Sequence, residues 1–218
     1  MTQPRRAGGL CAAFVEGLPI EGSCVSVFDG TGRQSTVCAS DALAARIDEL
    51  QFELGEGPHW EALRTSHSVL VPALGESSPA RWPIFSAAAR ELGVRAVFAF
   101  PMFVGAITVG VVGLHALRKG NLNSNEVEVA TQLTQRITPR AVHLALRSAQ
   151  SDGLGDVPAA PAMRREVHQA TGMILAQLGV SATEAFVRLR AYAFSNSRTV
   201  HEVARAVVAR ELDFRDLD

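Results

Sequence analysis

The sequence predicts an α+β protein in two parts: an antiparallel sheet flanked by helices, then a long connecting helix leading to a C-terminal three-helix bundle. Three observations predict it. Runs rich in Val, Ile and Phe stand at both ends of the stretch Ser23 to Leu117 with helical segments between them, an order that is mixed rather than strictly alternating. From Leu122 to Ala149 helical periodicity is almost uninterrupted. Beyond Arg164, three apolar stripes at three- and four-residue steps are joined by short turns.

The elements follow in order. The start, "MTQPRRAGGLCAAFVEGL", has a charged pair but no long apolar core before a cleavage site, and it leads directly into a domain helix. "SCVSVFDGTGRQSTVCAS" reads as a hairpin: two β-rich runs separated by Asp29, Gly30, Thr31 and Gly32. Helices are expected over Asp41–Phe52, Pro58–Ser66 and Ala80–Gly93, with Pro83 confined to a first turn. Ala96–Phe103 and Thr108–Leu117 read as central antiparallel strands hinged at Gly105. In the long helix, Asn123 or Ser124 caps the start and Pro139 should kink it; the apolar residues beyond Pro139 exceed what one domain face needs, which suggests a helix shared by two subunits. A Gly-, Pro- and Ala-rich linker is expected at 149–162, between a first domain at 8–148 and a second at 163–212.

In the second domain, Met163, Val167, Ala170, Ile174 and Leu178 share one helix face, which ends at Gly179. Ser181 and Thr199 are placed to cap the next two helices, with Glu184 and Glu202 three residues later. Ala185, Phe186, Leu189, Tyr192 and Ala193 form the stripe of the second helix; Val200, Val203, Ala204, Val207 and Val208 form that of the third. Met163 to Arg210 holds seven arginines against three glutamates, a net +4 in a chain of 218 residues whose overall charge is −1. Every Lys or Arg in the stretch is arginine, whose guanidinium forks onto phosphate or stacks on an unpaired base. Gly172 lies mid-helix, where it costs about 1 kcal/mol relative to alanine. Two reasons for it stand open: close approach of another backbone or an RNA, or close packing inside the bundle.

The run "VHQATGMILAQLGVSATEAFVRLRAYAFSNSRTVHEVARAVV", about the last quarter of the chain, resembles the ANTAR domain. That resemblance implies RNA binding and transcription antitermination, in which paired small stem-loops of a nascent leader are held so that an overlapping terminator does not form. The expected RNA-binding residues are Arg164, Arg165, Gln169, Arg188, Arg190 and Arg198, with Thr171, Gly172, Ser197 and Thr199 as close-approach or hydroxyl contacts.

Upstream, "LQFELGEGPHWEALRTSHSVLVPAL", "RWPIFSAAARELGVRAVFAFPM" and "AITVGVVGLHALRKGNLNSNEVEVA" resemble a GAF domain of the bacterial type that precedes ANTAR modules. This implies a sensor of a small molecule or a protein partner, with a pocket on one face of the sheet, and leaves the ligand unspecified: GAF domains serve cyclic nucleotides, bilins, haem or oxo-acids, and some only dimerise. A cysteine often follows "GEGP" in this loop type; here the residue is His59, and bilin attachment is unsupported. His59 and His115 stand without sequence neighbours that would make a metal or haem site, so no metal ligands are assigned. Cys11, Cys24 and Cys38 lack metal-type spacing and read as buried thiols of a reducing compartment. Cys24 and Cys38 could face each other across the hairpin, but not in the pattern of the methionine sulfoxide reductase subgroup.

No apolar run approaches a bilayer span, and a cytoplasmic homodimer is expected. An enzyme is not: no nucleophile and base, metal cluster or phosphate loop assembles from the sequence. A DNA-binding regulator competes through a helix-turn-helix reading of Ser181 to Arg210, but the turn near Asn196 to Thr199 lacks a glycine and "TVHEVARAVVARE" carries a full apolar stripe. A GAF dimerisation scaffold with a protein-docking bundle is the other alternative.

Overall fold

The computed structural model describes residues 8–28, 34–76, 81–150, 159–196 and 198–217, without the side chains of 149–150, 159–165 and 183. The described residues fall into two compact units, one up to residue 150 and the other from residue 159.

The first unit is a five-stranded antiparallel sheet in the order β2-β1-β5-β4-β3, where β1 is Gly22–Phe28, β2 Gln34–Ala39, β3 Val69–Val71, β4 Ala96–Val104 and β5 Ile107–Ala116. Alternation along the strands sorts side chains to two faces, and helices cover both. One face sends Val25, Phe98, Phe100, Met102, Val112 and Leu114 into a core closed by α1 (Gly8–Gly17) and α5 (Ser124–Gln150). The other sends Phe28, Val97, Ala99 and Val111 against α2 (Ala42–Leu54), α3 (Pro58–Thr65) and α4 (Pro83–Glu91). The expected hairpin is there, with its turn outside the described residues, and the β4–β5 turn passes through Gly105 at φ 61°. The short edge strand β3 is not visible in the sequence pattern. Helix α5 is assigned unbroken through Pro139.

Two cysteine expectations are corrected. Cys11 and Cys38 are joined in a disulfide between α1 and β2, so these two are not thiols. In the β1–β2 register Cys38 sits opposite Val25 and Cys24 opposite Ala39, which places Cys24 and Cys38 on opposite faces of the sheet.

The second unit is a three-helix bundle of α6 (Ala159–Leu178), α7 (Ala182–Ser195) and α8 (Val200–Val208), followed by a short 3₁₀ turn, Phe214–Leu217. Residues 149–150 and 159–162, read as linker, are helical; 151–158 lie outside the described residues. Val167, Ala170, Ile174, Ala185, Leu189, Ala193, Val203 and Val207 form the buried seam. Gly179 closes α6 at φ 67°. Ser181 Oγ accepts from Glu184 N at 3.2 Å, while Glu184 turns to Arg188. The full capping box forms at Thr199, whose Oγ1 accepts from Glu202 N at 3.1 Å while Glu202 Oε2 accepts from Thr199 N at 2.8 Å. These bonds from Thr199 hold the Glu202 carboxyl below the usual carboxylate range.

Candidate functional site

The expected RNA-binding residues occupy different environments on the bundle. Gln169 and Gly172 are exposed on α6, and a Cβ built on Gly172 would meet nothing within 4 Å. Packing within the bundle therefore does not require the glycine. Thr171 points the other way: it is buried and its hydroxyl donates to Val167 O at 2.7 Å. Arg188 is paired with Glu184 at 2.9 Å. Arg190 lies 5.7 Å from the centroid of the Phe186 ring. Arg198, exposed, donates to Glu202 O at 3.0 Å, and Thr199 is occupied by its capping box. The side chains of Arg164 and Arg165, and Ser197 altogether, lie outside the described residues. Sequence reasoning did not single out Val187 and Phe194, which are 53% and 71% exposed and seven residues apart on α7. Two apolar side chains left out of a small bundle at helical spacing are a surface available to another molecule.

In the first unit the "LGEGP" motif resolves into backbone requirements. Gly55 ends α2 in the left-handed region at φ 61°, Gly57 takes φ 125° where a Cβ would lie 2.7 Å from Gln51 Cγ, and Pro58 opens α3. Glu56 Oε1 accepts from Phe85 N at 2.7 Å at the start of α4. Gln51 Oε1 accepts from His59 N at 2.8 Å, fixing the residue that follows the motif.

His59 is buried with two polar neighbours, although its Nδ1 makes no hydrogen bond to either. Its Nδ1 is 3.2 Å from Asp48 Oδ1 and its Nε2 is 3.8 Å from Cys24 Sγ. Asp48, wholly buried on α2, also accepts from Ser26 Oγ at 2.8 Å and Gln34 Nε2 at 2.9 Å on Oδ1, and from Thr36 Oγ1 at 2.6 Å on Oδ2. Three donors from β1 and β2 thus hold the carboxylate against the imidazole. The imidazole lies over Gly113 of β5, where a Cβ would strike Nε2, and Gly113 is the register partner of Cys24. A cavity of about 10 Å³ lies here, lined among others by Cys24, Gln51, His59, Gly113 and His115. Burial pushes the His115 pKa below its ordinary 6.5, with Asp41 and Glu21 pulling it upward. Cys24, Asp48 and His59 also offer the donor types of a metal site, their ligand atoms lying within 4.8 Å of one another.

The alternation of β1, which turns Cys24 and Ser26 to one face, and the polar pair Asp48 and Gln51 at helical spacing on α2 were the available signals for this cluster. They connect only once Gly113 is known to lie beside Cys24.

Among the described residues, no helix is long and apolar enough to cross a membrane. No curated protein matches the chain. Among solved structures, the GAF domain of the cyanobacteriochrome TePixJ is similar at 20% identity and TM-score 0.50, over 66% of this chain and 94% of that one. The GAF domain region of a Geobacter sulfurreducens protein is similar at 14% identity and TM-score 0.50, over 63% of this chain and 90% of that one. At these identities the likeness shows the fold. The GAF domain family matches residues 7–138 and the ANTAR domain family matches residues 156–208. With the first match covering more than half of its length, on a sheet of this topology, the chain belongs to the GAF domain family and carries an ANTAR domain behind it.

Proposed function

We propose that the chain is an RNA-binding transcription antitermination regulator of the cytoplasm, in which a GAF sensor (8–148) governs an ANTAR domain (163–212) that binds paired stem-loops in nascent RNA. The observation that carries this reading is the ANTAR match at 156–208, falling on a three-helix unit. The chemistry of the bundle surface supports it. Gly172 leaves an open approach to the α6 backbone, and Gln169 is exposed one turn before it. Phe194 offers an aromatic face on which an unpaired loop base can stack. A homodimer presents two such surfaces, matching two stem-loops, and effective concentration raises the affinity for a paired RNA without new contacts. The GAF unit acts by binding a small molecule or a protein partner better in one arrangement of the dimer than in the other.

Alanine substitution of Gln169, Arg198 and Phe194, each in the full chain, tests the assignment by titration against a tandem stem-loop at several salt concentrations. A phosphate contact at Arg198 lowers affinity for all RNAs and reduces the salt slope by about 1, whereas a stacking contact at Phe194 changes loop preference. Affinities equal to that of a distant surface variant would remove these residues from the site. The protein-docking alternative is favoured by one observation, the exposed pair Val187 and Phe194. Under it, Phe194→Ala alters oligomeric state or partner capture and leaves RNA affinity unchanged.

A further inference from the structure

We propose that Cys24, His59 and Asp48 form a reactive-thiol site in the GAF unit, at which a small hydroperoxide oxidises Cys24 to a sulfenic acid. The imidazole stands between the other two groups. Asp48 faces Nδ1 of the imidazole at 3.2 Å, and Nε2 faces Cys24 Sγ at 3.8 Å. Nδ1 makes no hydrogen bond, the Cys24 thiol also lies 3.7 Å from Gly113 O as a donor, and in the tautomer with the proton on Nδ1 the Nε2 lone pair is the base beside the thiol, the pairing that generates a reactive thiolate. Asp48 is a positioning residue. Ser26, Gln34 and Thr36 all donate to its oxygens, so its lone pairs are engaged by protein donors. That occupancy argues against the carboxylate as a metal ligand.

The reactant class follows from space and from the other cysteines. The cavity beside Cys24 and His59, about 10 Å³, suits a molecule near the size of water and excludes a peptide or a nucleotide. Hydrogen peroxide is the smallest hydroperoxide. In the step, the Cys24 proton passes to His59 Nε2 and the thiolate attacks one peroxide oxygen. The S–O bond forms as the O–O bond breaks, and the leaving hydroxide takes the proton from Nε2 to become water. Sulfur loses two electrons and the peroxide gains them; the products are Cys24 sulfenic acid and water. The chain has three cysteines, and the other two are joined to each other on the opposite face of the sheet, so the sulfenic acid has no thiol within the chain to condense with.

This names a signal class for the proposed sensor and rests on that reading only for its regulatory meaning; the chemistry is read by mass, independently of RNA binding. The experiment treats the full chain, Cys11–Cys38 bond intact, with hydrogen peroxide and traps sulfenic acid with dimedone, followed by peptide mass spectrometry. The expected result is an adduct on the Cys24 peptide, forming faster than on free cysteine at the same pH and about a hundredfold more slowly in a folded His59→Gln variant. Should that variant not fold, the wild-type rate decides alone. A rate no greater than that of free cysteine, or a stoichiometric metal ion in the purified chain that is lost in Cys24→Ser, would overturn the proposal.

Discussion

At Gly172 the structure turns an ambiguous glycine into a test. A Cβ built there meets nothing within 4 Å, so Gly172→Ala meets no steric obstacle among the described residues and should stabilise α6 by about 1 kcal/mol, read by thermal melting. The same methyl obstructs close approach of RNA, so affinity for a tandem stem-loop should fall; a stabilised variant with unchanged affinity would contradict the close-approach role. His115 gives a pH prediction. Its folded pKa lies below 6.5, so the unfolded chain takes up the proton first; stability is fully present above 6.5 and is lost as pH falls from there toward the folded value. His115→Gln should flatten that part of the stability curve measured by urea unfolding between neutral and mildly acidic pH. At Gly113 a side chain would displace the His59 imidazole, so Gly113→Ala should destabilise the GAF unit and slow any chemistry at Cys24 together.

Among the elements, those with a long periodic signal were legible in the sequence: the three C-terminal helices, the hairpin, the two central strands and the long α5 are all present, though α6 begins at Ala159, inside the stretch read as linker. Strand β3 was not, because three residues are too few to show alternation and Val69–Val71 is a strand by virtue of pairing with β4. Nor was the disulfide, since Cys11 on a helix and Cys38 on a strand, 27 residues apart, have no spacing that names them as partners. The cluster of Cys24, Asp48 and His59 was hidden for the same reason: each residue is ordinary in its own element, and only strand register brings them together. Two predictions belong at this scale. Replacing Cys11 and Cys38 together by alanine should cost the GAF unit about 3 kcal/mol, for closing a loop of this size, and lower its melting temperature. Thr199→Ala removes the capping box of α8 and should cost the bundle about 1 kcal/mol in denaturant unfolding.

Across the whole molecule, the two units carry different physical resources. The GAF unit buries polar groups around a cavity on one face of a sheet whose other face is filled by apolar side chains from α1 and α5. The ANTAR unit has a small apolar seam, arginines as its only Lys or Arg residues between Met163 and Arg210, and an exposed aromatic on α7. The proposed function assigns sensing to the first set of features and nucleic-acid contact to the second. Sequence order within the ANTAR run carried the resemblance to an RNA-binding family, while the placement of the candidate contact residues depended on burial: Thr171 turns inward and Thr199 serves its own helix, which periodicity alone does not distinguish from outward-facing hydroxyls. The proposed function is binding of paired RNA loops. It is tested most directly by titrating the full chain against a tandem stem-loop RNA, a single stem-loop and a DNA duplex of equal charge, with mass photometry to count bound subunits. Preference for the tandem RNA with two subunits on it is the expected result; equal, salt-sensitive binding to all three would contradict the proposed function.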